Sequence, residues 1–288
     1  LQQEATVLER HELDSRILAD AVALRYGEHA QVESVALGGS LSSGTACPGS
    51  DVDLYVYVNA ELPVPARAKI AREHASYAEV DNRFWESGDE WIDADSGVHV
   101  DVTFRSLAWI DSELTRVLQR HQASVGYSTC LWHSVKSSIA LFDRNGWFAR
   151  LQQSACRPYP EDLRRAIVAK NHPILRETVS SYRYQIAGAV QRGDLVSVNH
   201  RVTALLISYF DILFAVNRVP NPGEKRLVEL AAVQGSVLPP AMADRVAALV
   251  AAVPGREAVL TCLDVLVDDL DAVLRAEGLI GSQRASLV

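Results

Sequence analysis

The chain has 288 residues, 48% of them hydrophobic and 22% charged, which is long enough to bury one large core or two ordinary ones and too apolar for a disordered chain. Its net charge of −8 sits at the front: residues 1–156 carry 13 Lys/Arg against 22 Asp/Glu, a net of −9, while residues 157–288 carry 15 against 14, a net of +1. This balance is a poor match for nucleic acid, whose binding normally needs a basic track, and suits a small cationic substrate better. An acidic surface that simply keeps the protein dissolved accounts for the same numbers.

No apolar run, Ala247 to Val253 included, approaches the length of a membrane span. No basic segment leading into an apolar one opens the chain, so no export signal is expected. Cys47, Cys130, Cys156 and Cys262 are scattered without a C-x-x-C pair. They imply neither a zinc site nor a disulfide framework, and the reducing cytoplasm is the expected setting.

In chain order, Thr6 to Tyr26 reads as a helix with a rough 3.6-residue apolar stripe through Val7, Leu8, His11, Leu13, Ile17, Leu18, Ala21, Val22 and Leu24. Val32 to Leu37 follows as a strand, and Gly38-Gly39-Ser40 turns off it into a helical turn or two from Leu41 to Ala46. After Pro48-Gly49, a second strand runs from Asp51 to Asn59, nearly all apolar beyond Asp53 and so expected to be buried on both faces. Pro63 and Pro65 introduce a helix from Ala66 to Ala78, and Glu79 to Phe84 is a further strand. The acidic run Glu86 to Asp95, with Trp85 and Trp91, reads equally as a lid that cradles a cation and as a solvated hairpin tip. From Val98 to Phe104 the residues alternate, with His99, Asp101 and Thr103 on the polar face of a third strand. Helices at 107–122 and 148–154, a helix or strand–helix junction at 129–139 and an edge strand at 139–142 complete the front half. Past a boundary near Arg157-Pro158-Tyr159-Pro160 the pattern is helical, in segments 161–170, 174–191, 195–216, 224–234, 239–253 and 256–277, with a turn expected at Asn171-His172-Pro173. The expected fold is therefore α+β: a small mixed sheet with flanking helices over residues 1–156, then an all-α helical bundle over 157–288.

The segment Val35–Val58 carries the chemistry. Strand alternation turns Asp51 and Asp53 to one side while Val52 and Leu54 face the sheet. Two carboxylates this close stay ionised when a cation lies between them, and Mg²⁺, with its preference for oxygen ligands, suits the pair. Asp101 needs a reason to stand in a strand, and a share of the same metal is one. Gly39 lets backbone approach phosphate oxygens, and Ser40 adds a hydroxyl donor.

Gly39-Ser40, ten residues, Asp51-x-Asp53 and a later third Asp resemble the nucleotidyltransferase superfamily that includes polymerase β, over about residues 30–104. Gly44-Thr45-Ala46 and Ser50-Asp51-Val52-Asp53-Leu54 extend the likeness to the small bacterial members. The mixed-sheet head with a helical tail is similar to the antibiotic (aminoglycoside or lincosamide) nucleotidyltransferases. The resemblance implies that Asp51 and Asp53 bind Mg²⁺ carried with a nucleoside triphosphate, and that Asp101 bridges a second metal or acts as base toward the acceptor. It also implies that Gly39, Ser40 and Ser50 hold the nucleotide. The co-substrate would be ATP, the acceptor a small-molecule hydroxyl, and a homodimer is one way such relatives complete their site. The sequence departs from many relatives in having Ser42 and Ser43 where a basic residue lies near the phosphates. With lysines only at 69, 136, 170 and 225, Lys170 and then Lys225 are the expected phosphate contacts from the helical half, each set against the simpler reading of a solvated charge. Rival readings are a protein- or RNA-directed nucleotidyltransferase of toxin–antitoxin type, and a head that senses nucleotide without catalysis.

Overall fold

The computed structural model describes residues 2–84, 86–255 and 257–281. The chain divides into two compact units, the first made of residues 1–115 and 134–157, the second of 116–133 and 158–288.

In the first unit, α1 (Gln2–Gly27) leads to β1 (Val32–Leu37), the short α2 (Gly39–Ser43), β2 (Val52–Val58), α3 (Val64–His74), β3 (Ala75–Asn82), β4 (Gly88–Asp93) and β5 (His99–Ser106). The chain leaves this unit within α4 (Leu107–Leu118) and returns to it within α5 (Cys130–Ser137), after which come β6 (Ile139–Asp143) and α6 (Trp147–Ala155). Among the described residues six strands form one sheet in the order β3-β4-β5-β2-β1-β6. The β2–β5 pair is parallel and the other pairs are antiparallel, so the sheet is mixed, as expected. One face is apolar: Val52, Leu54 and Val56 of β2 and Val100 and Val102 of β5 pack with Ala19, Val22, Ala23 and Tyr26 of α1 and Ile70 and Ala71 of α3. The other face presents the alternate residues, and Tyr57 is closed over there by Trp147 and Phe148 of α6, ring centroids 5.4 and 5.2 Å away.

Three local expectations are corrected. The buried face of α1 runs through Ser15, Ala19, Val22, Ala23 and Tyr26, and the expected stripe members Leu13, Ile17 and Leu24 are about 60% exposed; the side chains of Val7 and Leu8 lie outside the described residues. The helix expected to reach Ala78 ends at His74, because the next eight residues pair with β4. The acidic run is neither a lid nor a hairpin tip: most of it is β4, an interior strand with Asp89 and Trp91 buried. A buried carboxylate requires a partner, and Arg67 of α3 supplies it, donating from Nε and Nη2 to Asp89 at 2.9 and 2.5 Å and from Nη2 to the Gly88 carbonyl at 3.0 Å. Trp85, the other aromatic of that reading, lies outside the described residues.

The second unit is helical: α7 (Glu161–Arg176), α8 (Tyr182–Arg192), α9 (Leu195–Val216), α10 (Leu227–Gln234), α11 (Met242–Ala252) and α12 (Glu257–Ala276). Its core gathers Leu175, Ile186, Leu205, Tyr209, Leu213, Leu249, Leu263, Leu266 and Leu270. The turn expected at Asn171-His172-Pro173 is absent, and α7 continues through Pro173. The lost Pro N–H is offset by tertiary anchors on either side: Asn171 bonds the 124–126 segment, His172 lies 2.7 Å from Asp271, and Arg176 reaches Asp268 and Asp271 at 2.6 and 2.7 Å. Residues 116–133 join this unit through Asp211, whose buried carboxylate accepts from the Ser128 N–H at 3.0 Å and from Asn221 at 3.1 Å. Among the described residues no helix is long and apolar enough to cross a membrane.

Candidate active site

The site is built where β1 ends beside the start of β2. Gly38 donates its N–H to the Asp53 carbonyl at 2.8 Å, which ties the turn to β2. Gly39 has φ +61°, and a Cβ placed there would fall 1.8 Å from Oδ2 of Asp53. The Asp53 carboxylate thus occupies the space a side chain would fill, and only glycine serves both the backbone angle and the contact. Ser40 is half-buried in the first turn of α2, where Ser42 and Ser43 donate to the Gly39 carbonyl at 3.0 and 3.1 Å.

Ser50 closes the turn into β2: its N–H donates to the Cys47 carbonyl and its Oγ accepts from the Cys47 N–H, both at 2.9 Å. Asp51 stands just before the first β2 residue, exposed, with its Oδ1 3.8 Å from Nδ1 of His99. Asp53 and Asp101 are abreast in the parallel β2–β5 register, on strands about 4.8 Å apart. Burial, then the neighbouring Asp53 and Glu90, push the Asp101 carboxyl up to about 6, with His99 acting in the opposite direction.

Glu90 is a residue that sequence reasoning left inside the acidic run. It lies opposite Asp101 in the β4–β5 register and accepts from Asn82 at 2.8 Å. Its signal was the two-residue periodicity of Gly88–Asp93, which the density of charge obscured. Glu86 also raises the Asp101 carboxyl, and it holds the buried Arg105 guanidinium bidentately at 2.8 and 2.9 Å beside the Tyr55 ring. Lys69 and Lys136 belong to the same unit as the carboxylates; Lys170, in the interior of α7, and Lys225, ahead of α10, are exposed positions of the helical unit.

Among the described residues no group of three or more His, Cys, Asp or Glu side chains forms a ready metal cage. What the fold supplies is a carboxylate pair, Asp53 and Asp101, with Asp51 at the entrance to the same strand. The proton affinity of Asp101 is raised by its burial first and by the neighbouring Asp53 and Glu90 second, and a cation at the pair would relieve the second of these. An all-oxygen donor set of this kind fits Mg²⁺, which keeps several waters and takes one or two carboxylates.

Residues 16–124 match the family model described as "Nucleotidyltransferase domain", and residues 128–226 match a "Domain of unknown function (DUF4037)". The first match supports nucleotidyl transfer as the general class of activity. No curated protein matches the chain. Among solved structures it is similar to a nucleotidyltransferase-like protein from Exiguobacterium sibiricum, at 12% identity and TM-score 0.42, covering 93% of this chain and 76% of that one. It is also similar to the CCA-adding enzyme of Thermotoga maritima complexed with tRNA, at 12% identity and TM-score 0.31 over 91% and 81% of the two chains. A STING-associated c-di-GMP synthase, CdnE, from Capnocytophaga granulosa is similar at 10% identity and TM-score 0.30 over 94% and 82%.

Proposed function

We propose that the protein is a Mg²⁺-dependent nucleotidyltransferase that moves AMP from ATP to a hydroxyl of a small cationic molecule of the aminoglycoside type, in the cytoplasm. The observation that carries this reading is the side-by-side placement of Asp53 and Asp101 beneath the Gly38-Gly39 turn. Asp51 and Asp53 would hold Mg²⁺, with Asp101 sharing a second ion. Bound there, the metal would neutralise phosphate charge and stabilise the attacking and leaving oxygens.

The protein's own groups supply the rest. The backbone at Gly39 and the hydroxyl of Ser40 receive the β- and γ-phosphates, and Ser50 adds a further nucleotide contact. Where Asp101 does not share the second ion, it would accept the proton of the acceptor hydroxyl as that oxygen attacks the α-phosphorus and pyrophosphate departs. Glu90 beside this group, together with the excess of acidic residues in 1–156, supports a cationic acceptor over a polyanion.

The test is incubation with each labelled nucleoside triphosphate, Mg²⁺ and a panel of hydroxyl acceptors, followed by mass analysis of acceptors, added RNA and the protein itself. An adenylylated small molecule, absent with Asp53→Asn, is the expected result. Label on protein or RNA would redirect the acceptor assignment. Label nowhere would overturn the reading.

A further inference from the structure

His99 opens β5 two residues before Asp101, on the same face, and each of its ring nitrogens faces a different carboxylate. Nε2 is 3.4 Å from Oε2 of Glu90, and Nδ1 is 3.8 Å from Oδ1 of Asp51. The two carboxylates are not equally fixed. Glu90 lies within β4, between β3 and β5, and its other oxygen accepts from Asn82 of β3 at 2.8 Å. Asp51 lies outside the ladder, between the Cys47–Ser50 turn and the first paired residue of β2, Val52. A carboxylate on unladdered backbone has several rotamers open to it, and a metal ligand has to be held in one of them.

We propose that His99 is the positioning residue of Asp51: a strut that takes its bearing from Glu90 and Asn82 and restricts the Asp51 carboxylate at the entrance to the strand that carries Asp53. The proposal rests on the metal-dependent reading of the site. It adds a residue that the Gly-Ser/Asp-x-Asp pattern does not contain, and it gives Glu90 a task distinct from meeting the acceptor.

The experiment is a direct Mn²⁺ titration of the nucleotide-free protein, followed by electron paramagnetic resonance, on the wild type and on His99→Ala, His99→Gln, Glu90→Gln and Asp53→Asn. His99→Ala is expected to weaken Mn²⁺ binding about tenfold or more, the usual effect of removing a group that orients a metal ligand. His99→Gln, which keeps an amide donor of similar reach, recovers most of that loss, and Glu90→Gln weakens binding by a smaller factor. In turnover, His99→Ala raises the Mg²⁺ concentration for half-maximal rate while kcat at saturating Mg²⁺ stays near that of the wild type. Mn²⁺ binding by His99→Ala as tight as that of the wild type, or tighter, overturns the strut. If His99→Ala fails to fold, unchanged binding in both His99→Gln and Glu90→Gln overturns it equally. Loss of binding in Asp53→Asn alone removes the strut and leaves the metal site standing, whereas a wild type that binds no Mn²⁺ removes the metal reading and the strut together.

Discussion

Gly39 and Asp101 define the site at the scale of single residues. A methyl at position 39 would collide with Asp53 Oδ2 and would place an L-residue in the left-handed region, a cost of about 1–2 kcal/mol before the clash is counted. Gly39→Ala is therefore expected to swing the Asp53 carboxylate away and lose both Mn²⁺ binding and transfer, with the sheet intact by circular dichroism. For Asp101 the sign of the pH effect follows from its raised proton affinity. Its ordinary value is 3.8 and its folded value is about 6. The folded state thus binds the proton more tightly, and the stability this contributes is complete below 3.8 and lost as pH rises through 6. Asp101→Asn should accordingly melt at a higher temperature than the wild type at pH 8 and close to it at pH 4, while transfer at pH 8 falls by about 10²–10⁴-fold. In the wild type without metal, ionisation of Asp101 centres near 6, so metal binding should strengthen with pH across that range. Asp53 and Asp101 were readable as residues of two strands because strand alternation acts over a few residues, whereas their side-by-side pairing is set by the β2–β5 register. Glu90 was not, since its proximity to Asp101 depends on the register between two strands.

Among the elements, β4 is the one the sequence concealed. Gly88–Asp93 holds three carboxylates in six residues, a composition that reads as solvent-facing, and it becomes an interior strand because Arg67 arrives from α3 to neutralise Asp89. Removing the guanidinium leaves a buried charge unpaired, so Arg67→Ala should destabilise the first unit by about 3–5 kcal/mol. Amide hydrogen exchange locates the effect: protection should fall in β3, β4 and β5 and hold in α9 and α12. α7 teaches the same lesson in reverse. Local chemistry placed a break at Pro173, and the anchors made by Asn171, His172 and Arg176 with residues far along the chain carry the helix through it. The strands flanking the carboxylates and the long helix α9 needed no such distant partners, and the sequence declared them plainly.

At the scale of the whole molecule, the helical unit includes a piece of chain that precedes it. Residues 116–133 belong with 158–288, and the Ser128 N–H and the Asn221 amide both meet the buried Asp211 carboxylate. A fragment beginning at residue 158 would leave Asp211 short of one of those donors, at about 1–3 kcal/mol for each buried polar group left unmatched. Such a fragment should show a lower melting temperature than the same helices in the full chain, and restoring 116–133 through a linker should recover it. Pro158 and Pro160 precede the helical stretch, but the excursion of eighteen residues (116–133) is set by side chains that the sequence separates widely.

The parallel register of β2 and β5 has a consequence in time. Parallel neighbours cannot be joined by a tight turn, so the chain passes through α3, β3 and β4 before Asp101 is laid beside Asp53. Non-local pairings of this kind close after local ones, because loop closure is costly until they form. A growing polypeptide therefore holds Asp53 without Asp101 beside it until β5 has been synthesised and docked. The carboxylate pair, and any chemistry that depends on it, arrives in one step with the topology.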